Sequence, residues 1–181
     1  MAKILFIYTS KEGQTERIVQ SLAARGREAG FDVDFLNSPA KGTPLPPMDA
    51  AVVAGSIHVG KHDKRLAGFI KSHAGQLKTR PNMFLSVSLA IGSRNENEKQ
   101  AVRKIAETFC EEAGWQPDRM EHVAGGVHMN RYNWLTRMVM RRILRKEGVD
   151  LPPSGELEFT DWAALQAAFG EFLSRVETAA S

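Results

Sequence analysis

The feature that most constrains the fold is an alternation of short apolar runs with amphipathic stretches along the chain. The first apolar run, from Lys3 to Tyr8, is continuous rather than alternating, as expected of a strand covered on both faces. The next stretch, Glu16 to Gly30, carries Ile18, Leu22 and Ala29 at helical spacing. Alternation of this kind predicts an α/β protein with a parallel sheet and helices on both faces.

Five strands and four helices are predicted in this way. The predicted strands are Lys3–Tyr8, Asp32–Leu36, Ala50–Ala54, Asn82–Leu89 and Arg119–Val123, and the predicted helices are Glu16–Gly30, Asp63–Leu77, Asn95–Ala113 and a last one from Thr160 to about Val176. Such spacing suits a flavodoxin-like doubly wound sheet of order 2-1-3-4-5, with a ligand crevice between strands 1 and 3. About thirty residues, Gly125 to Glu156, form an insertion before the last helix of a single domain spanning residues 1–181.

Composition narrows the class of protein. The chain of 181 residues has a single cysteine, Cys110, so an internal disulfide is excluded and a reducing compartment fits. Cys110 falls in a helical run, where a buried core thiol is expected. The N-terminal apolar run is too short for a signal peptide, and no window approaches the roughly 20 apolar residues of a membrane-spanning helix. These features predict a cytoplasmic protein whose contact with a membrane is peripheral.

The turn after the first strand, Thr9 to Thr15, is the best candidate for a phosphate site. Backbone N–H groups at a strand-to-helix turn, together with the positive end of the helix dipole, favour an anion. Thr9, Ser10 and Thr15 add hydroxyl donors, and Gly13 lets the backbone curve around the ligand. The turn contains neither G-x-G-x-x-G nor G-K-[ST], so it is not a dinucleotide fingerprint or a nucleotide P-loop. An ordinary polar turn that caps the helix is the alternative.

Two more loops containing Gly and Ser follow the third and fourth strands, at Gly55 to His62 and Ser88 to Arg94. The carboxyl ends of parallel strands share one edge, so the three loops are expected to meet there. This three-loop pattern resembles flavodoxins over nearly the whole chain, which implies FMN with its ring between the second and third loops. Neither of these loops carries an aromatic residue, so one face of the flavin is expected to be open to a substrate. The residues expected to bind FMN are Thr9, Ser10, Lys11, Glu12, Gly13, Gln14, Thr15, Ser56, Ile57, His58, Val59, Gly60, Ser88, Leu89, Ala90, Ile91 and Gly92.

A combination of short segments is similar to one family, the FMN-containing menaquinone-dependent protoporphyrinogen IX dehydrogenases of bacteria. Besides the first two loops, the matching segments are Trp115 to Arg119, Ala124 to Gly126, Asn130 to Trp134 and Phe159 to Trp162. The resemblance implies FMN, protoporphyrinogen IX as substrate, menaquinone or ubiquinone as electron acceptor, and peripheral attachment to the inner face of the cell membrane. It assigns no catalytic acid or base and no metal.

The basic residues of the chain are concentrated in the insertion. Six of the 24 Lys and Arg residues lie between Arg131 and Lys146 with no acidic residue among them, which leaves 18 basic against 21 acidic residues elsewhere. Core packing of one helical face is the ordinary explanation, but Trp134 and Met138 among the arginines also suit an anionic bilayer or a substrate carboxylate. Nucleic acid is disfavoured because no recognition fold accompanies the patch. The residues expected to contact substrate or membrane are Arg131, Trp134, Arg137, Arg141, Arg142 and Arg145.

Two alternative functions stay open on the sequence alone. One is a flavodoxin-type FMN electron carrier, although such carriers are usually acidic, and the other is a soluble NAD(P)H:quinone reductase. His58, His62 and His128 are candidates for proton handling, but a surface or hydrogen-bonding role is the simpler expectation for each. The choice of quinone and the oligomeric state, a homo-oligomer included, are not fixed by any motif.

Overall fold

A computed structural model describes residues 1–128, 137–138, 141–142, 144–145, 148–150 and 152–180. Its main sheet is parallel and has the order β2-β1-β3-β4-β5, which confirms the predicted doubly wound topology. The sheet strands are β1 (Lys3–Thr9), β2 (Asp32–Asn37), β3 (Ala50–Ser56), β4 (Asn82–Ser88) and β5 (Arg119–Ala124). The order reverses between β1 and β3, so the loops after these two strands flank the ligand crevice of this fold.

Four helices cover the sheet: α1 (Gln14–Glu28), α2 (Lys64–Lys78), α3 (Glu96–Glu112) and α4 (Trp162–Ala180). Three of them begin at capping side chains that a sequence can reveal. Asp63 and Asn95 each accept a hydrogen bond from the backbone N–H two residues ahead, at 2.8 and 3.0 Å. Asp161 accepts from the N–H of Ala164, three residues ahead, at 2.9 Å. None of the described helices is long and apolar enough to cross a bilayer.

The core has two layers because alternate residues of each buried strand point to opposite faces. On one face, Ile4, Phe6 and Tyr8 of β1 pack with residues of α1 and α4. On the other face, Leu5 and Ile7 pack with residues of α2 and α3, including Cys110. Cys110 is therefore a buried core thiol, as the sequence predicts, and burial raises its pKa to about 12.

Two features were not predicted from the sequence. The loop after β4 is a 3-10 turn (Leu89–Gly92) rather than an irregular loop. The ends of the insertion form a short antiparallel ladder of β6 (Gly126–His128) and β7 (Glu156–Glu158), a separate two-stranded sheet. The insertion therefore leaves and rejoins the fold at one place, next to the carboxyl edge of the main sheet.

Candidate cofactor site

Strand register brings the three expected loops to a common edge. Thr9 pairs with Gly55, and Gly55 pairs with Ser86, so β1, β3 and β4 end side by side. The backbone N–H of Ile57, after β3, donates to the carbonyl of Val87 at the end of β4 at 2.9 Å. Glu12 and Lys11 of the first loop also lie close enough to His58 of the second to influence its pKa. The structure thus places these loops next to one another, as the sequence predicts.

The first loop has the properties of an anion site at the N-terminus of α1. Gly13 precedes the helix with a φ of 88°, a left-handed conformation that favours glycine, and as the N-cap residue it offers no side chain to the helix. The Ser10 hydroxyl accepts from the N–H of Gly13 at 3.1 Å and fixes the turn from within. Thr9 and Thr15 are 5% and 1% exposed and border the turn. The Ser10 hydroxyl also accepts from the N–H of Glu16 at 3.4 Å. The other N–H groups of this helix end, with the nearby hydroxyls, fit a terminal phosphate of the kind that FMN carries.

The second loop is a tight two-residue hairpin. His58 and Lys61 exchange backbone hydrogen bonds of 2.9 and 3.2 Å across Val59 and Gly60. Both central residues have positive φ, 49° at Val59 and 72° at Gly60, as in a type I′ turn. The Val59 side chain is 98% exposed at the tip. The hairpin is therefore well defined, yet holds a β-branched residue in a conformation that such residues rarely adopt.

A buried histidine supports this hairpin from below. His62 is 5% exposed, and its Nε2 lies 3.1 Å from the Ser86 hydroxyl of β4. The ring packs on Phe109 and Phe84, with centroids 4.8 and 5.4 Å away. Burial lowers the pKa of His62 to about 4, against a smaller opposing effect of the Ser56 backbone. His62 is consequently neutral at physiological pH and pins the end of the loop to β4.

The position of His62 also explains a glycine in β3. A Cβ on Gly55 would lie 3.3 Å from His62 Nδ1 and 3.1 Å from Leu66. From the sequence alone, Gly55 is indicated only as a small loop residue. Neither His62 nor Ser86 was among the expected FMN-binding residues, and a lone His and a lone Ser in separate elements carry no signal of their pairing.

The third loop is held by its own cap and by the insertion. The Ser88 hydroxyl accepts from the N–H of Ala90 at 3.2 Å and starts the 3-10 turn. A Cβ on Gly92 would lie 3.2 Å from the Cβ of Phe159, just beyond β7. Phe159 thus places an aromatic ring beside a loop that has none of its own, a residue that the loop sequences could not reveal.

The base of the insertion is tied to α1 by a polar network. Gln14 Nε2 donates to Glu158 Oε1 at 2.8 Å and to Thr160 Oγ1 at 3.1 Å, and Thr160 Oγ1 donates to the Ala124 carbonyl at 2.7 Å. Arg17 pairs with the second oxygen of Glu158 at 2.8 Å. The first turn of α1, which borders the phosphate loop, is therefore fixed to the strand that closes the insertion.

One residue of the basic segment, Leu144, lies against the third loop. Leu144 is 5% exposed and packs with Leu89, Leu157 and Phe159. Arg137 is half-buried, whereas Arg141, Arg142 and Arg145 are exposed. Expected residues Arg131 and Trp134 lie outside the described part of the chain, and so does the side chain of His128. No group of acidic, His and Cys side chains among the described residues is arranged to hold a metal ion.

The chain is similar to known proteins over most of its length. A profile described as "Flavodoxin domain" matches residues 5–150. The protoporphyrinogen IX dehydrogenase [quinone] of Escherichia coli K12 is 29% identical over 161 residues, covering 88% of each chain. A protein of the same name from Leishmania major is 23% identical over 172 residues, covering 94% of this chain and 74% of its own. Among solved structures, a short-chain flavodoxin associated with a bacterial microcompartment has a TM-score of 0.49 and 12% identity, covering 67% of this chain and 84% of its own.

Proposed function

The chain belongs to the flavodoxin domain family, whose cofactor is FMN, and on that premise we propose that it oxidises protoporphyrinogen IX to protoporphyrin IX in haem biosynthesis. Electrons pass to a membrane quinone, menaquinone or ubiquinone, and the protein attaches peripherally to the inner face of the cell membrane. The names of the two relatives support the substrate and the acceptor. The chain is thus an FMN-dependent oxidoreductase rather than a module without chemistry of its own.

One observation carries the choice of a large, acidic substrate. Leu144, Leu89 and Phe159 pack together, so Leu144 and the adjacent Arg145 are held beside the third loop. An electron carrier needs no organic substrate next to its cofactor, and a basic segment fixed at that point would serve no purpose in it. A tetrapyrrole with carboxylate side chains gives that placement a purpose.

Different residues of the chain would bind different parts of FMN. Thr9, Ser10, Thr15 and the N–H groups at the start of α1 would hold the phosphate, and the loops at Ser56 and Ser88 would flank the ring. When bound, FMN supplies two-electron acceptance, which no side chain offers. The protein contributes orientation: neutral His62 fixes the second loop on Ser86, and Phe159 fixes the third.

Stopped-flow mixing tests the proposal directly. Purified flavoprotein, mixed anaerobically with protoporphyrinogen IX, should lose its oxidised flavin absorbance as each FMN accepts two electrons. Added quinone should restore the absorbance and, over three such cycles, remove the six electrons needed to produce fluorescent porphyrin. A flavin that stays oxidised with protoporphyrinogen but bleaches with a reduced carrier protein would instead indicate an electron carrier. Rapid steady-state oxidation of NADH or NADPH would favour the soluble quinone reductase.

A further inference from the structure

A surface hollow in the basic segment is not accounted for by flavin binding. Arg137, Met138, Arg141, Arg142 and Arg145 line this hollow, whose volume is about 600 Å³. That volume falls within the roughly 300–1,000 Å³ of small-molecule sites. Met138 is 56% exposed, so an apolar side chain stands open among four cations. Such a surface suits a ligand that is both apolar and anionic.

Helical spacing explains why these side chains lie on the same face. At 3.6 residues per turn, the five lining residues fall within an arc of about 140° around the helix axis. Arg137 lies at one end of this arc, and Leu144 falls just beyond it. Leu144 is buried and Arg137 half-buried, while the arginines farther around the arc are exposed. Residues 137, 141 and 145 are spaced four apart, the spacing that brings side chains to one face in helical geometry.

The chemistry of the row favours carboxylates over a lipid surface. Arginine binds a carboxylate with two parallel hydrogen bonds, and the sequence from Arg131 to Lys146 contains no acidic residue. A protein contacts the surface of a bilayer through a flat or convex face, whereas these residues line a concave surface. The row is also anchored through Leu144 to Leu89 of the third flavin loop.

We propose that the four arginines bind the two carboxylates of the tetrapyrrole, with Met138 against its ring, and so hold the macrocycle beside the flavin loops. The identity of the macrocycle rests on the function proposed above. The chemical class, a flat apolar molecule with paired carboxylates, rests on the hollow and its lining. The propionates of protoporphyrinogen lie on one edge of the ring, which matches a row of cations on one helix face.

Equilibrium binding of the stable product provides the test. Binding of protoporphyrin IX and of its dimethyl ester to the FMN-loaded protein is followed by fluorescence in neutral detergent without lipid. The parent should bind the diacid at least tenfold more tightly than the ester. A quadruple variant should lose that preference, with unchanged affinity for the ester; its changes are Arg137→Gln, Arg141→Gln, Arg142→Gln and Arg145→Gln. A control with Lys71, Lys78, Lys104 and Arg175 changed to Gln removes equal charge from exposed sites and should keep the preference.

Several results would overturn the assignment. One is a parent that does not distinguish acid from ester, and another is a quadruple variant that keeps the parental preference. A variant that loses binding to anionic vesicles while keeping the porphyrin preference would assign the row to lipid. If the quadruple variant does not fold, the double change at exposed Arg141 and Arg145 should still lower the preference. Failure of protoporphyrinogen to bleach the flavin, with the acid preference intact, would contradict the proposed function and leave this site standing.

Discussion

At the scale of single residues, Thr15 connects the sequence motif to the predicted chemistry. It is 1% exposed at the start of α1, two residues after Gly13 and directly before Glu16. We expect Thr15→Ala to weaken FMN binding by about 1–3 kcal/mol, the range for a hydrogen bond to a charged group. Fluorescence titration of the apoprotein measures this, with Thr178→Ala at an exposed threonine of α4 as control. Equal FMN affinity in Thr15→Ala and the parent would remove this hydroxyl from the phosphate site.

Val59 is a residue whose local conformation opposes its type. A β-branched side chain at a φ of 49° is strained, and a type I′ turn prefers Asn before Gly. Val59→Asn should therefore raise the free energy of unfolding by about 1 kcal/mol. Val59→Thr keeps the β-branch and should give no gain. Urea unfolding at saturating FMN compares them, and equal midpoints for the Asn and Thr variants would show that the turn is not strained.

His62 gives the protein a pH dependence with a definite sign. Its pKa is about 4 when folded and about 6.5 when unfolded, so only the unfolded chain takes up the proton between these values. Its contribution to stability is complete above pH 6.5 and is lost as the pH falls toward 4, by about 2 kcal/mol between pH 7 and pH 5. Burial lowers the pKa of His58 and His122 as well, so they add a slope of the same sign.

His62→Gln isolates this effect, because the other histidines titrate in both proteins. The difference in unfolding free energy between pH 7 and pH 5 should be about 2 kcal/mol smaller in the variant than in the parent. Urea titrations at the two pH values measure it. The same pH dependence in both proteins would mean that His62 has the same pKa in the folded and unfolded chain, so that burial does not hold it neutral at pH 5.

At the scale of elements, structure that depends on residues close in the sequence could be predicted, whereas contacts between residues far apart in the sequence could not. The alternation of strand-like and helix-like stretches located all five strands of the main sheet, and the helices predicted from Asp63 and Asn95 begin one residue later in the structure. The β6–β7 ladder was missed because each strand has only three residues, too few for a period, and the two strands are far apart in the chain. The contacts of Gln14 with Glu158 and Thr160 were missed because they join residues at opposite ends of the sequence.

The β6–β7 ladder itself makes a steric prediction. A Cβ on Gly126 would lie 2.9 Å from the Leu157 carbonyl oxygen, a backbone atom that cannot rotate away, and 3.2 Å from Gln14. We expect Gly126→Ala to lower the free energy of unfolding by about 1–3 kcal/mol, the usual cost of overpacking. The neighbouring Gly125→Ala is the matched control, since its Cβ would meet no described atom closer than 3.6 Å. Equal stability of the two variants would contradict this approach of the strands.

At the scale of the whole molecule, the parallel order 2-1-3-4-5 followed from composition and spacing because few topologies join five such strands without left-handed crossovers. That order also placed the three loops together, which is why their meeting could be predicted without any contact information. The single-domain organisation stays a prediction. The packing of Leu144 with Leu89 and Phe159 joins residues that share no local pattern, and so it had to come from the structure.

The distribution of charge over the molecule yields the last prediction. With six basic residues in one segment and a net negative remainder, the parent should sediment with anionic vesicles and not with zwitterionic ones. Binding should fall steeply between about 50 and 300 mM salt, because screening shortens the reach of exposed charges to below about 10 Å. The control with Lys71, Lys78, Lys104 and Arg175 changed to Gln should bind nearly as well as the parent, since its charges lie elsewhere. Binding that resists salt, or that is equal on zwitterionic vesicles, would mean that apolar insertion rather than charge attaches the protein to the membrane.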